Sequence, residues 1–134
     1  MSCRAAVFSL LANDVSLNGL GINASRIWAT HAMDVAPRNG YFLILKWEEK
    51  VHEIADHGPE VLTIWCHRNK EECIDFMGHE AILKRVREIL VGHHQVAGVD
   101  GILTSARSNG MSADFVDDVH GTSVKNAAFQ VLSR

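Results

Sequence analysis

The chain has 134 residues, of which 47% are hydrophobic and 22% charged, and a net charge of −3. That length suits one compact domain burying roughly 68% of its unfolded surface, so a core forms without disulfide or metal staples. The charge balance argues against a dedicated nucleic-acid binder, which is usually strongly basic, though not against a protein that lets DNA pass. No stretch approaches the roughly 20 apolar residues of a membrane span. Cys3, Cys66 and Cys73 are odd in number and lack framework spacing, which fits a reducing compartment.

From Cys3 onward, Val7, Leu10, Leu11 and Asp14 fall at helical spacing and predict an N-terminal helix ending near Asn13-Asp14. Arg4 and the run Ala5 to Ala12 faintly resemble a signal peptide, but the run is short and Ser9 interrupts it. Val15, Leu17 and Leu20, set among Asn18, Gly19 and Gly21, predict a loose turn docked on the core. Arg26-Ile27-Trp28-Ala29 reads as a short strand, and Thr30 to Gly40 as a loop closed by Pro37 and Asn39-Gly40.

Tyr41 to Trp47 and Glu60 to His67 are rich in β-branched and aromatic residues and predict two strands. Alternation continues past Trp47 through Val51 towards Ile54, and Asp56-His57-Gly58-Pro59 makes the return. The arm between them carries Glu48, Glu49, Lys50, His52 and Glu53, so it is either solvated or paired with a neighbouring subunit. A polar link, His67 to Glu72, follows. Asn69 with Glu72 is one capping pair there, and Asp75 is an equally good N-cap for the next helix. In that helix Ile82, Val86, Ile89 and Leu90, supported by Leu83, form the buried stripe, and Gly92 is its stop. Glu80 and Lys84 predict an i,i+4 pair on its outer face, worth roughly 0.2–0.5 kcal/mol.

Ile102 to Arg107 predicts a strand between the turns Asp100-Gly101 and Asn109-Gly110. An acidic loop then carries Asp114, Asp117 and Asp118 around Phe115 and Val116. Ser123 to Ser133 alternates, with Ala127, Phe129 and Val131 on one face and Ala128, Gln130 and Leu132 on the other. The expectation is a single domain over 1–134 of the α/β (α+β) class. It has one mixed, mainly antiparallel sheet of about four to five strands, covered by the N-terminal helix and one central amphipathic helix.

Chemistry is sparse. Cys66-His67, Cys73 and His79 lie near one another in sequence but show none of the paired zinc spacings, and Cys66 on a strand packs as a small hydrophobe. His93-His94 follow the central helix, where imidazolium can meet its C-terminal dipole. Asp114, Asp117 and Asp118 with His120 could hold Mg²⁺ for phosphoryl chemistry, yet a solvated acidic loop accounts for them better. There is no nucleophile elbow, phosphate loop or dinucleotide fingerprint. No catalytic residue, cofactor or metal ligand is nominated. Trp28, Trp47 and Trp65 lie on strands and are expected in the core, but Trp47, flanked by Lys46 and Glu48, also suits a subunit interface.

Read in order, the chain resembles the tail terminator proteins of long-tailed bacteriophages, most closely those of actinobacterial phages. The resemblance spans essentially the whole chain. It is carried by Phe8-Ser9-Leu10-Leu11, Arg26-Ile27-Trp28, Gly40 to Glu49, Gly58 to Trp65, Asp75, Ala81 to Leu90, Asn109-Gly110-Met111-Ser112, Asp117-Asp118 and Asn126 to Arg134. The many histidines, Cys66 and Cys73 depart from the family pattern.

The resemblance implies a non-enzymatic virion protein that forms a homohexameric ring on the completed tail tube. Such a ring ends tube polymerisation and joins the tail to the neck or head-completion proteins. Its partners are then its own copies, the major tail tube protein and the neck protein. Genomic DNA passes through the lumen without specific binding, and no membrane is involved. The protein is placed at the head-proximal end of the virion tail after assembly in the host cytoplasm.

A ring needs two different, complementary faces. The arm residues Trp47, Glu48, Glu49, Lys50, His52 and Glu53 are expected at subunit contacts, as are Phe129 and Val131 of the last strand. Asp114, Asp117 and Asp118 are expected to line the lumen and repel passing DNA. The alternatives are a neck or head-tail adaptor protein and a small metal-dependent phosphoryl-transfer enzyme built on the acidic loop.

Overall fold

One sheet organises the chain. A computed structural model describes residues 3–29, 39–48, 60–72, 75–119 and 121–134. The elements are α1 (Arg4–Ala12), α2 (Val15–Gly19), a 3-10 turn (Ala24–Arg26), β1 (Ile27–Ala29), β2 (Tyr41–Glu48), β3 (Glu60–Asn69), α3 (Met77–Gly92), β4 (Val96–Gly98), β5 (Gly101–Met111), β6 (Phe115–Asp117) and β7 (Thr122–Ser133). The sheet runs β1-β2-β3-β7-β5-β4, and β6 pairs with β7. β1 lies parallel to β2 and every other pairing is antiparallel, giving the mixed, mainly antiparallel α+β sheet expected.

Among the described residues the sheet has seven strands rather than the four to five expected. Of the additional ones, β4 and β6 are three residues each, too short for alternation to register in sequence. The Asn109-Gly110 pair, expected to be a turn, lies inside β5. Irregular register between Ser108 and Met111 bends the strand there, and Gly110 takes φ +99° to make the bend.

The last strand is not an edge. β3 pairs with β7 along its whole length on one side, while β5 and β6 divide the other side. Its backbone is therefore paired on both sides and offers no open edge to a neighbour.

The core fills the space between one sheet face and the helices. Leu43 and Leu45 of β2, Leu62, Ile64 and Cys66 of β3, and Ala127, Phe129 and Val131 of β7 meet Val7 and Leu11 of α1. From α3, Ile82, Leu83, Val86, Ile89 and Leu90 complete it, the stripe that helical spacing predicts. On the opposite face Phe42, His67 and Val124 are also buried. Phe42 stacks on His67 at 4.9 Å and meets Trp28 edge-on at 5.1 Å.

Polar contacts fix the helices. The Asp14 carboxylate caps α2 by accepting the Leu17 N–H at 2.9 Å, and Asp100 accepts the Ala5 N–H at the start of α1. Gly98 lies so close to α1 that a Cβ there would sit 2.7 Å from the Ala6 nitrogen. His93 Nδ1 lies 2.6 Å from the Ile89 carbonyl and closes the C-terminal end of α3. At its other end Glu80 pairs with Lys125 at 3.1 Å on β7, rather than with Lys84 one turn on, because Lys125 is held on the core side of its strand.

Candidate assembly surfaces

Alternation sets what each strand can offer a partner. On β3 the residues Leu62, Ile64 and Cys66 face the core, so Val61, Thr63 and Trp65 face away and are half-buried. On β7 the same rule turns Ala128, Gln130 and Leu132 outward, with Leu132 41% exposed. Phe129 and Val131, expected at an interface, are fully buried inside the subunit. The part of β7 that a neighbour can touch is its other face.

Trp47 is half-buried against the core, and the Arg4 guanidinium of α1 lies 5.5 Å from its ring centre. Glu48, at the end of β2, is exposed. Glu49, Lys50, His52 and Glu53 lie outside the described residues.

The acidic segment has three different environments. Asp114 accepts from Lys125 Nζ at 2.9 Å, so it forms a triad with Glu80 around one ammonium group. The Asp114 hydrogen bond, ahead of that from Glu80, raises the Lys125 pKa and keeps it charged. Asp117 accepts the Val119 N–H at 2.9 Å within the turn, and Asp118 is exposed. Beside them Phe115 meets Trp65 edge-on at 5.8 Å, while Val116 and Val119 are 51% and 91% exposed. This end of the subunit is both acidic and apolar.

Behind it lies a polar layer that is buried at His79 and partly open at Arg68 and Glu72. The Arg68 guanidinium donates to the Tyr41 hydroxyl at 3.0 Å, covers its ring at 4.7 Å and reaches Glu72 at 3.4 Å. Glu72 also accepts the Gly40 N–H at 3.0 Å, so one carboxylate ties the start of β2 to the end of β3. His79, fully buried, lies edge-on to Tyr41 and beside Phe76. Its Nε2 is 2.8 Å from the Ser123 carbonyl, which only accepts, so Nε2 carries the proton. Its Nδ1 is buried and finds no partner among the described residues. Burial, above all, lowers the His79 pKa.

None of this assembles a reactive centre. Among the described residues no three His, Cys, Asp or Glu side chains converge in a way that could hold a metal ion. Cys66 points into the core while His67, on the opposite face, is engaged with Thr122 Oγ1 at 2.8 Å. No described helix is long and apolar enough to cross a membrane. Sequence reading missed the Lys125 triad, although one signal was present. Lys125 occupies the core-facing phase of an otherwise apolar strand, and such a lysine requires carboxylate partners.

Among the described residues the fold is thus a seven-stranded mixed sheet with helices on one face, presenting charged and apolar ends. No family model and no curated protein matches the sequence. Among solved structures, the chain is similar to one from the virion of a native gene transfer agent particle. The match has a TM-score of 0.68 at 16% identity and covers 97% of this chain and 92% of that one. The two share a fold.

Proposed function

We propose that this protein is a structural subunit of a phage-type virion, and within it the tail terminator. The observation that carries the reading is the shared fold along 97% of the chain with a virion component. The sequence resemblance to tail terminators, equally long, supports the finer assignment. In this reading copies of the chain form a homohexameric ring at the head-proximal end of the tail. The ring stops polymerisation of the major tail tube protein and receives the neck protein. It assembles in the host cytoplasm and has no enzymatic step.

The physical features fit this work. A ring subunit needs a rigid body, two unlike faces and no reactive pocket. The buried β7, flanked on both sides, supplies the rigid body. A net charge of −3 leaves DNA free to pass through the bore without specific binding. Trp47 and Glu48 root the segment that we assign to a subunit contact, together with Glu49, Lys50, His52 and Glu53.

Electron microscopy of the purified protein, alone and with tail tubes, tests the proposal. Rings that cap tubes and limit their length are expected. Rings that ignore tubes but bind heads point instead to a neck protein. Protein that forms no rings in either sample contradicts both.

A further inference from the structure

α3 runs alongside β7 in the same direction, because Glu80 meets Lys125 near the start of both and Gln95, just past α3, meets Arg134 at 3.1 Å beyond the end of β7. The 16 residues of α3 therefore separate two ends of the subunit by roughly 24 Å. Among the described residues one end gathers Glu71, Asp75, Asp117 and Asp118 against Lys70. There the Lys70 N–H donates to the Gly121 carbonyl and brings the two turns together. That end projects Val119, 91% exposed, beside Asp117 and Asp118.

Further along, the outer face of α3 has the opposite character. Lys84, Arg87 and Val91 are exposed and line a shallow groove with Glu88 and Gly92. Arg85 engages Glu88 at 3.2 Å, which partly neutralises that carboxylate. Lys84 and Arg87 have no ion-pair partner among the described residues. An apolar knob flanked by acids thus stands at one end, and a groove flanked by bases lies towards the other.

We propose that the Asp117–Val119 turn of one subunit docks on the Lys84, Arg87 and Val91 groove of the next copy. The occupant is a second copy because both halves of the contact belong to one chain at separated positions. Such a contact is heterologous and joins subunits head to tail, and it makes a ring when the rotation between copies closes. Opposite charge at its rim steers encounter and fixes register, while Val119 and Val91 supply the apolar contact. This inference rests on the ring reading. It moves Asp117 and Asp118 from the bore to a subunit contact.

Sedimentation velocity of the full chain tests it, with Asp118→Lys, Arg87→Glu and their equimolar mixture beside the wild type. Both side chains concerned are at the surface, so thermal melting of each variant is expected to match the wild type and serves as the folding control. Each single reversal should raise the dissociation constant of the oligomer by about tenfold or more. The mixture should recover oligomers, because native and swapped contacts alternate around the ring. Higher salt should weaken the wild-type assembly. A wild-type oligomer that both reversals leave intact, or a mixture that stays dissociated, overturns this contact and spares the ring reading. A wild type that remains monomeric at every concentration, alone and on tail tubes, overturns both.

Discussion

Asp14 and Arg85 lie 71 positions apart and meet as a fork, Nη2 to Oδ1 at 2.8 Å and Nε to Oδ2 at 3.0 Å. The same Asp14 carboxylate caps α2, so a single side chain locks the α1–α2 corner to α3. The Arg85 hydrogen bond, followed by the Leu17 N–H, holds the Asp14 pKa below the usual 3.8 despite the opposing effect of burial.

Replacing Asp14 with Ala removes the cap and the fork, and should cost about 1–2 kcal/mol in urea unfolding at neutral pH. Asp14→Asn keeps an acceptor for the cap and should cost less. The folded pKa is depressed, so the carboxylate contributes fully above 3.8 and loses that contribution as pH falls through the folded value. The stability gap between wild type and Asp14→Asn should therefore close in acid. A gap that persists below pH 2 contradicts the ionic part of this account.

His79 gives a second pH dependence at a different window. Its burial favours the neutral ring. The neighbouring cations Arg68 and Lys125 oppose protonation, while the Ser123 carbonyl and Asp114 favour it. The folded value lies below 6.5, so the unfolded chain binds the extra proton first and stability falls as pH drops below 6.5. Melting curves between pH 7 and 5 should show a steeper loss for the wild type than for His79→Gln. Parallel curves contradict it.

Gly78 faces the Tyr41 hydroxyl so closely that any Cβ would overlap it. Tyr41 cannot simply swing aside, because Arg68 both bonds and covers it. Gly78→Ala should destabilise the protein by about 1–3 kcal/mol, the cost of overpacking, although alanine is the better helix former. Pairing it with Tyr41→Phe, which removes the clashing oxygen, should recover part of the loss. Equal melting temperatures for Gly78→Ala and wild type contradict the packing described.

Phe129 separates core from contact. Fully buried, it should cost about 3–5 kcal/mol on replacement by Ala, visible as loss of the folded monomer rather than of assembly alone. Gln130→Ala, one position along on the open face, should leave the melting temperature within a few degrees of wild type. Similar behaviour of the two variants contradicts the strand phase assigned here.

The long, strongly patterned elements were legible in sequence. The period-two runs at Tyr41 and Glu60 and the helical stripe from Ile82 to Leu90 each appear where expected. What escaped depends on distant partners. β4 and β6 are strands only because β5 and β7 pair with them. In sequence Phe129 and Val131 mark an apolar face of the last strand, but sequence alone does not say that α3 covers that face. The i,i+4 pair expected of Glu80 was overtaken by Lys125, 45 residues away, because a lysine held on the core side of β7 competes for carboxylates more strongly than an exposed one. The candidate surfaces were half legible. The acidic composition of 114–118 was plain, while the division of its carboxylates between Lys125, the turn and solvent needed the fold.

The proposed role is that of a ring-forming virion subunit that closes the tail tube. The most direct measurement follows tube length during polymerisation of the tail tube protein with increasing amounts of this protein, alongside its native mass. One closed oligomer, seated at a tube end, and tubes that stop growing once capped are expected. A protein that stays monomeric and leaves tube length unchanged contradicts it.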